Sequence, residues 1–262
     1  MIDIEIIYGG ANMSIERIRE INRDWENDLL DNETSFWHYE PFSDGYWNEK
    51  HKIVLCNAEA YGDNRENCVM TFEKFKERVK KYGKDAPTLV RSALFLYCLY
   101  KKVHGITVSE EKLAELLDSY DELLEGIRNT MYMNLRKEEN WEGKAEDTDG
   151  IRHSLIPGLK FSEKDPDDSI NKWNRGYTLD FIDALEADIF IITSETGWDV
   201  LRRIYTDEID LFNNLPKWGM YKTEKTLYVS MYHPSPRFMK SNNEYIKYIL
   251  EKTAGIYEKL QK

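Results

Sequence analysis

Several apolar runs in this chain stop at polar residues equipped for chemistry. Asn57 follows Lys52 to Cys56, Asn134 closes Thr130 to Asn134, Glu195 follows Asp188 to Thr193, and His233 follows Leu227 to Tyr232. A carboxamide offers two N–H donors and an acceptor oxygen on one plane, the pattern needed to read the edge of a heterocycle. An imidazole donates a hydrogen bond or passes a proton near neutral pH. His233 stands in His233-Pro234-Ser235-Pro236. Each proline fixes its own φ and keeps the preceding residue out of the helical region, so His233 and Ser235 are expected to be extended at the edge of a sheet. Taken singly, an asparagine at a strand end most often closes a turn. Recurrence after strand upon strand gives the pattern its weight.

Elements of two kinds must hold these groups. The runs at 52–56, 130–134, 188–193 and 227–232 are short and almost wholly apolar, as in strands buried on both faces of a parallel sheet. Helical patterns separate them. Ile15, Ile18, Trp25 and Leu29 follow Ser14 as an N-cap and predict a helix over 14–31. Three more are predicted over 71–82, 87–104, where Pro87 suits a first turn, and 109–127. Others fall over 177–187 and 198–205, and a last amphipathic helix carries Tyr245, Ile249, Ile256 and Leu260 along one side. The expected fold is therefore α/β, a three-layer α/β/α arrangement around a central, mainly parallel four-stranded sheet. In such sheets ligands bind at the carboxyl ends of the strands. One domain over 1–262 is expected, with a helical and aromatic extension over about 1–50 and a helical insertion over about 71–127. The aromatics from Phe36 to Trp47 either pack over the core or form a stacking surface, and packing is the expectation.

Composition narrows the partners. The net charge is −12, which disfavours indiscriminate binding of nucleic acid or membrane. Basic residues are nevertheless concentrated between Thr71 and Gly105, among them Lys74, Lys76, Arg78, Lys80, Lys81 and Arg91, a pattern that as a rule is a solvated helix face. Cys56, Cys68 and Cys98 have no Cys-x-x-Cys spacing and the five histidines are scattered, so neither a metal nor a cofactor is expected. No charged-then-apolar leader opens the sequence, and its longest apolar stretch, Ala93 to Leu99, is too short for a membrane span, so a soluble, cytoplasmic, reduced protein is expected.

The order and strand context of these residues, over about 50–260, resemble the uracil-DNA glycosylase superfamily. There, a first strand ends in a motif that positions the hydrolytic water, a middle strand ends in a base-reading asparagine, and the last strand carries a His-Pro-Ser segment. The segment IFIITSETGWDVLRR is similar to that family's third strand and following helix. The resemblance implies that Asn57 positions water, that Asn134 reads the base and that His233 stabilises the leaving group. Other residues fit a flipped-base mechanism, in which Tyr61 would stack on the base and Ser235, with Arg237 and Lys240, would grip a phosphate, while Phe238 or Met239 would wedge into the duplex. Arg237 as a surface charge and Phe238 as core are the alternatives. The chemistry is coherent, because a donor aimed at a carbonyl of the departing base stabilises its developing charge, and a flipped base needs a pocket that reads its edge and stacks its face.

The sequence departs from the family at Leu55 and Ala58, where glycine and proline are usual. Glu59 is open to service as a base, to repulsion of a phosphate, or to pairing with a lysine, and pairing is favoured. The implied activity is hydrolysis of the N-glycosidic bond of uracil or a related damaged base in DNA, with no metal. The alternative is a member of the same fold that binds a nucleobase, a nucleotide or single-stranded nucleic acid without efficient chemistry. A third reading is an unrelated α/β protein in which the histidine–proline segment is a rigid turn.

Overall fold

A computed structural model describes residues 5–28, 37–57, 68–83, 87–134, 175–193, 219–234, 239 and 241–262. Four parallel strands form the centre: β2 (Ile53–Asn57), β4 (Met131–Asn134), β5 (Ile189–Ile192) and β7 (Leu227–Ser230). Every residue in them is buried, so both faces of the sheet are covered. The spatial order is β4-β2-β5-β7-β6, where β6 (Met220–Lys222) runs antiparallel to β7.

The sheet thus has five strands rather than four. β6 is three partly exposed residues ending in a lysine, with no apolar run to announce it. A turn joins it to β7, in which the Thr223 N–H donates to the Thr226 carbonyl at 2.9 Å and the Thr226 N–H donates to Thr223 Oγ1 at 2.8 Å. A short edge strand carrying a lysine also discourages pairing with another chain.

The chain goes from β2 to β4 on one side, then crosses to β5 on the other. The strand order therefore reverses between β2 and β5, and the crevice outside their carboxyl ends is where an open α/β sheet binds ligands. In-register pairing sets Asn57 beside Asn134, and Ile192 beside Ser230.

Helices and aromatics close the two faces. α1 spans Glu5–Asp28, so Ser14 lies inside the helix and is not its cap. The expected stripe is present in Ile15, Ile18 and Trp25, which are buried, while Leu29 lies outside the described residues. Asn22, on the same side, donates to the Tyr39 carbonyl at 3.2 Å and so ties α1 to β1 (Trp37–Tyr39). β1 pairs in parallel with β3 (Cys68–Met70), a small second sheet that no apolar run foretells. Trp37, Tyr39, Phe42 and Tyr46 are buried, so packing is the role of the described aromatics in this segment.

α2 (Phe72–Tyr82) starts where Thr71 accepts the Lys74 N–H, and α3 (Pro87–Val103) starts on its proline. The helix expected over 109–127 is two short ones, α4 (Glu110–Glu115), capped by Ser109, and α5 (Tyr120–Glu125). Asp118 and Ser119 fall at the break, where short polar side chains favour turns over continued helix. α6 (Arg175–Ala184) precedes β5. α7 (Asn242–Gln261) closes the chain behind a capping box of Ser241 and Glu244. The helix expected over 198–205 lies outside the described residues.

Candidate functional site

Asn57 ends β2 at the switch point and is 4% exposed. Its Oδ1 accepts from the Thr193 hydroxyl, one residue beyond β5, and its Nδ2 donates to the Tyr132 hydroxyl at 2.8 Å. Strand alternation puts Tyr132 on the same face as Asn134, in register with Leu55, so a phenol from β4 reaches the amide of β2. Among the described residues one N–H and one lone pair of the Asn57 amide are used, and one of each is left.

Asn134 ends the neighbouring strand and is 7% exposed. Its Nδ2 donates to the Tyr39 hydroxyl at 2.7 Å. Its Oδ1 is buried and has no hydrogen-bond partner among the described residues. A buried carbonyl oxygen without a partner is costly and calls for a donor from a ligand or water. Among the described residues the two asparagines therefore sit side by side with different reserves: Asn57 is half engaged, and Asn134 has an acceptor to spare.

Both supporting phenols stay neutral. Burial pushes Tyr132 up to about 12, and burial together with neighbouring Tyr132 raises Tyr39 well above the ordinary tyrosine value. The charge of Arg78 pulls modestly the other way on both, and its guanidinium lies over the Trp37 ring at 5.2 Å. Phe75 packs on Tyr132 at 5.0 Å between ring centres, so α2 holds that phenol in place.

His233 follows β7 on the same carboxyl rim and is half-buried. Just before it the Tyr232 N–H donates to the Tyr248 hydroxyl at 3.2 Å, and just after it the Pro234 carbonyl accepts from Arg91 at 3.2 Å. With neighbouring strands about 4.8 Å apart, β7 stands roughly 10 Å from β2 across β5. Thr193, at the end of β5, stands between them.

Of the residues singled out in the sequence, Asn57, Asn134 and His233 are thus on one rim. Tyr61, Ser235 and Arg237 lie outside the described residues, as do Ala58, Glu59, Glu195, Phe238 and Lys240. Met239 packs partly buried against the core, and its carbonyl accepts from Arg91, which corrects the expectation of a duplex wedge at that position. Most of the described basic residues from 71 to 105 have structural partners: Lys76 pairs with Glu125, Lys80 with Asp121, and Lys74 lies over Trp37.

Thr193, Tyr132, Tyr39 and Arg91 are not among the candidates that the sequence singles out. Two carry a signal. Tyr132 is two residues before Asn134 on an alternating strand, and Thr193 closes the run at 188–193. Arg91 stands out only as a charge inside an apolar helix.

Among the described residues, no cluster of three or more His, Cys, Asp or Glu side chains is gathered as a metal site requires, and no helix is long and apolar enough to cross a membrane. Comparison with protein-family models, curated proteins and solved structures finds no match.

Proposed function

We propose that this chain is a glycosylase-type hydrolase that releases uracil or a related damaged base from DNA. The observation that carries the reading is the buried Oδ1 of Asn134, without a partner among the described residues, on the same sheet edge as Asn57 and His233. A pyrimidine imide supplies what that oxygen lacks, an N–H donor. The remaining N–H of Asn134 is available for an adjacent carbonyl. His233, arriving from β7, donates to a second carbonyl as charge develops there. The C1′–N bond breaks with its electron pair leaving on the base. Water held by the remaining N–H and lone pair of Asn57 adds to C1′ of an oxocarbenium-like sugar and gives up its proton to solvent. Such a sugar needs the water placed more than deprotonated.

A duplex oligonucleotide carrying one uracil tests this. Alkali-labile breakage at the uracil is expected with wild type, reduced about 10²–10³-fold by His233→Ala, the scale of losing one transition-state donor. Absence of breakage on every deaminated base sinks the hydrolase.

A second reading has its own support in the two hydrogen bonds that already engage Asn57. An amide held this way is a poorer handle for water, as in a protein that binds a nucleobase or single-stranded nucleic acid without turnover. Uracil binding that Asn134→Leu abolishes, with no base release, is its signature.

A further inference from the structure

Arg91 lies within ten consecutive buried residues, Val90 to Leu99, and is itself 6% exposed. Its guanidinium reaches out of α3 to the segment between β7 and α7. Nη1 donates to the Pro234 carbonyl at 3.2 Å and to the Met239 carbonyl at 3.3 Å. Nε and Nη2 both donate to Asn242 Oδ1, at 3.2 and 3.1 Å. The same group lies over the Tyr245 ring at 5.1 Å, and the Tyr245 hydroxyl donates to the Arg91 carbonyl at 3.0 Å. No carboxylate pairs with it among the described residues.

Burying a guanidinium without a counter-ion is unfavourable unless its donors are well used. Here two are spent on backbone oxygens that belong to neither helix nor sheet, and two on the side-chain oxygen of the first residue of α7. The reason lies in the sequence of that segment. Pro234 and Pro236 have no N–H, so the stretch after His233 is short of the donors with which a turn ordinarily secures itself. Its carbonyls must find donors elsewhere. Arginine carries five N–H groups in a rigid fork, enough to reach both ends of the segment and the start of α7 at once, which a lysine ammonium on a flexible stem does not match.

We propose that Arg91 is a positioning residue for His233: from α3 it staples Pro234, Met239 and Asn242 together, and so sets where the imidazole stands at the mouth of β7. The assignment rests on the reading of His233 as the group facing the base. It also gives the basic helical insertion a task, since α3 belongs to it.

Hydrogen exchange and base-release kinetics on the full chain test the staple together. Arg91→Met is expected to speed exchange in the peptide covering 231–240 at least about tenfold while leaving the β5 peptide 189–193 unchanged, the mark of local rather than global opening. On uracil-containing duplex, kcat is expected to fall about 10²-fold with KM held within about threefold, because a displaced catalytic group costs turnover more than binding. Arg91→Lys is expected to fall between the two. Unchanged exchange over 231–240, exchange raised equally throughout the chain, or a loss carried by KM alone overturns the proposal. If Arg91→Met does not fold, Asn242→Ala removes one anchor of the staple without touching α3, and smaller changes in the same directions are required. If wild type releases no base, the glycosylase reading fails. The staple then stands or falls on the exchange comparison and on whether the His233 ring resonances shift and broaden in Arg91→Lys.

Discussion

The two edges of the sheet are built from different chemistry. At the carboxyl edge stand amides, phenols and a threonine hydroxyl, with an imidazole on the same rim beyond β7, and the two asparagine amides are not fully hydrogen-bonded among the described residues. At the amino edge of β5 and β7, Asp183, Glu186, Asp188, Glu224 and Lys225 line a cavity of about 640 Å³. The best-defined groups there are occupied with holding strands. Asp188 accepts the Lys52 N–H at 2.7 Å, Lys52 Nζ lies 3.6 Å from Glu186, and the Leu227 N–H donates to the Asp188 carbonyl at 2.8 Å. Asp188 and Lys52 at the strand starts are consumed by the fold, whereas Asn57 and Asn134 at the strand ends keep unused valences among the described residues. Carboxylates also repel phosphate, so the amino edge is poorly suited to a nucleic acid.

The largest test of this contrast is alkali. Tyr132 and Tyr248 are held up to about 12, and Tyr39 and Tyr245 well above the usual 10, chiefly by burial. The folded chain keeps these protons where the unfolded chain gives them up. Stability is therefore complete below about pH 10 and is lost as pH rises toward 12. Urea midpoints across that window are expected to fall, and Tyr132→Phe to make the fall shallower. An unchanged slope in that variant removes Tyr132 from the account.

Next in size is the support beneath the asparagines. Phe75 is fully buried against Tyr132 and Phe42, so Phe75→Ala is expected to cost about 3–5 kcal/mol by chemical denaturation. A cost below about 1 kcal/mol would mean that α2 does not fix the phenol of Tyr132. Thr193→Val keeps the shape but leaves Asn57 Oδ1 without its donor, an expected loss of about 1–3 kcal/mol. Should water replace the hydroxyl, the loss shrinks toward zero and the Asn57 amide is freer than its geometry implies.

The smallest effect belongs to the amino edge. Burial, and after it neighbouring Asp180, raise Asp183 above the ordinary aspartate value, so its ionised form disfavours the fold at neutral pH. The folded-state contribution is complete below pH 3.8 and is lost as pH rises through the raised value. Asp183→Asn is expected to gain a few tenths of a kcal/mol at pH 7, after allowance for solvent screening, and nothing at pH 3. Base release should not change. A variant that lost activity would erase the division of labour between the edges.

Much of the frame is legible in the residues alone. The apolar runs ending at Asn57, Asn134 and His233 are strands or strand exits, because fully buried parallel strands tolerate no polar interior residue. The aromatic segment from Phe36 to Trp47 is open to two readings on its composition, and burial of Trp37, Tyr39, Phe42 and Tyr46 selects packing there. β3 and β6, three residues each, are too short to impose a period on the sequence.

The sequence by itself determined that β2 and β4 end at Asn57 and Asn134, since burial on both faces writes a continuous apolar run that only a polar residue or proline interrupts, while β5 and β7 end one and two residues before the runs at 188–193 and 227–232 do. Tertiary structure alone decided what those residues meet. Tyr39 reaches Asn134 across 95 positions and Arg91 reaches Pro234 across 143. Pairings at such separations leave no local period or spacing, because they are fixed by strand order and helix docking rather than by any neighbouring residue.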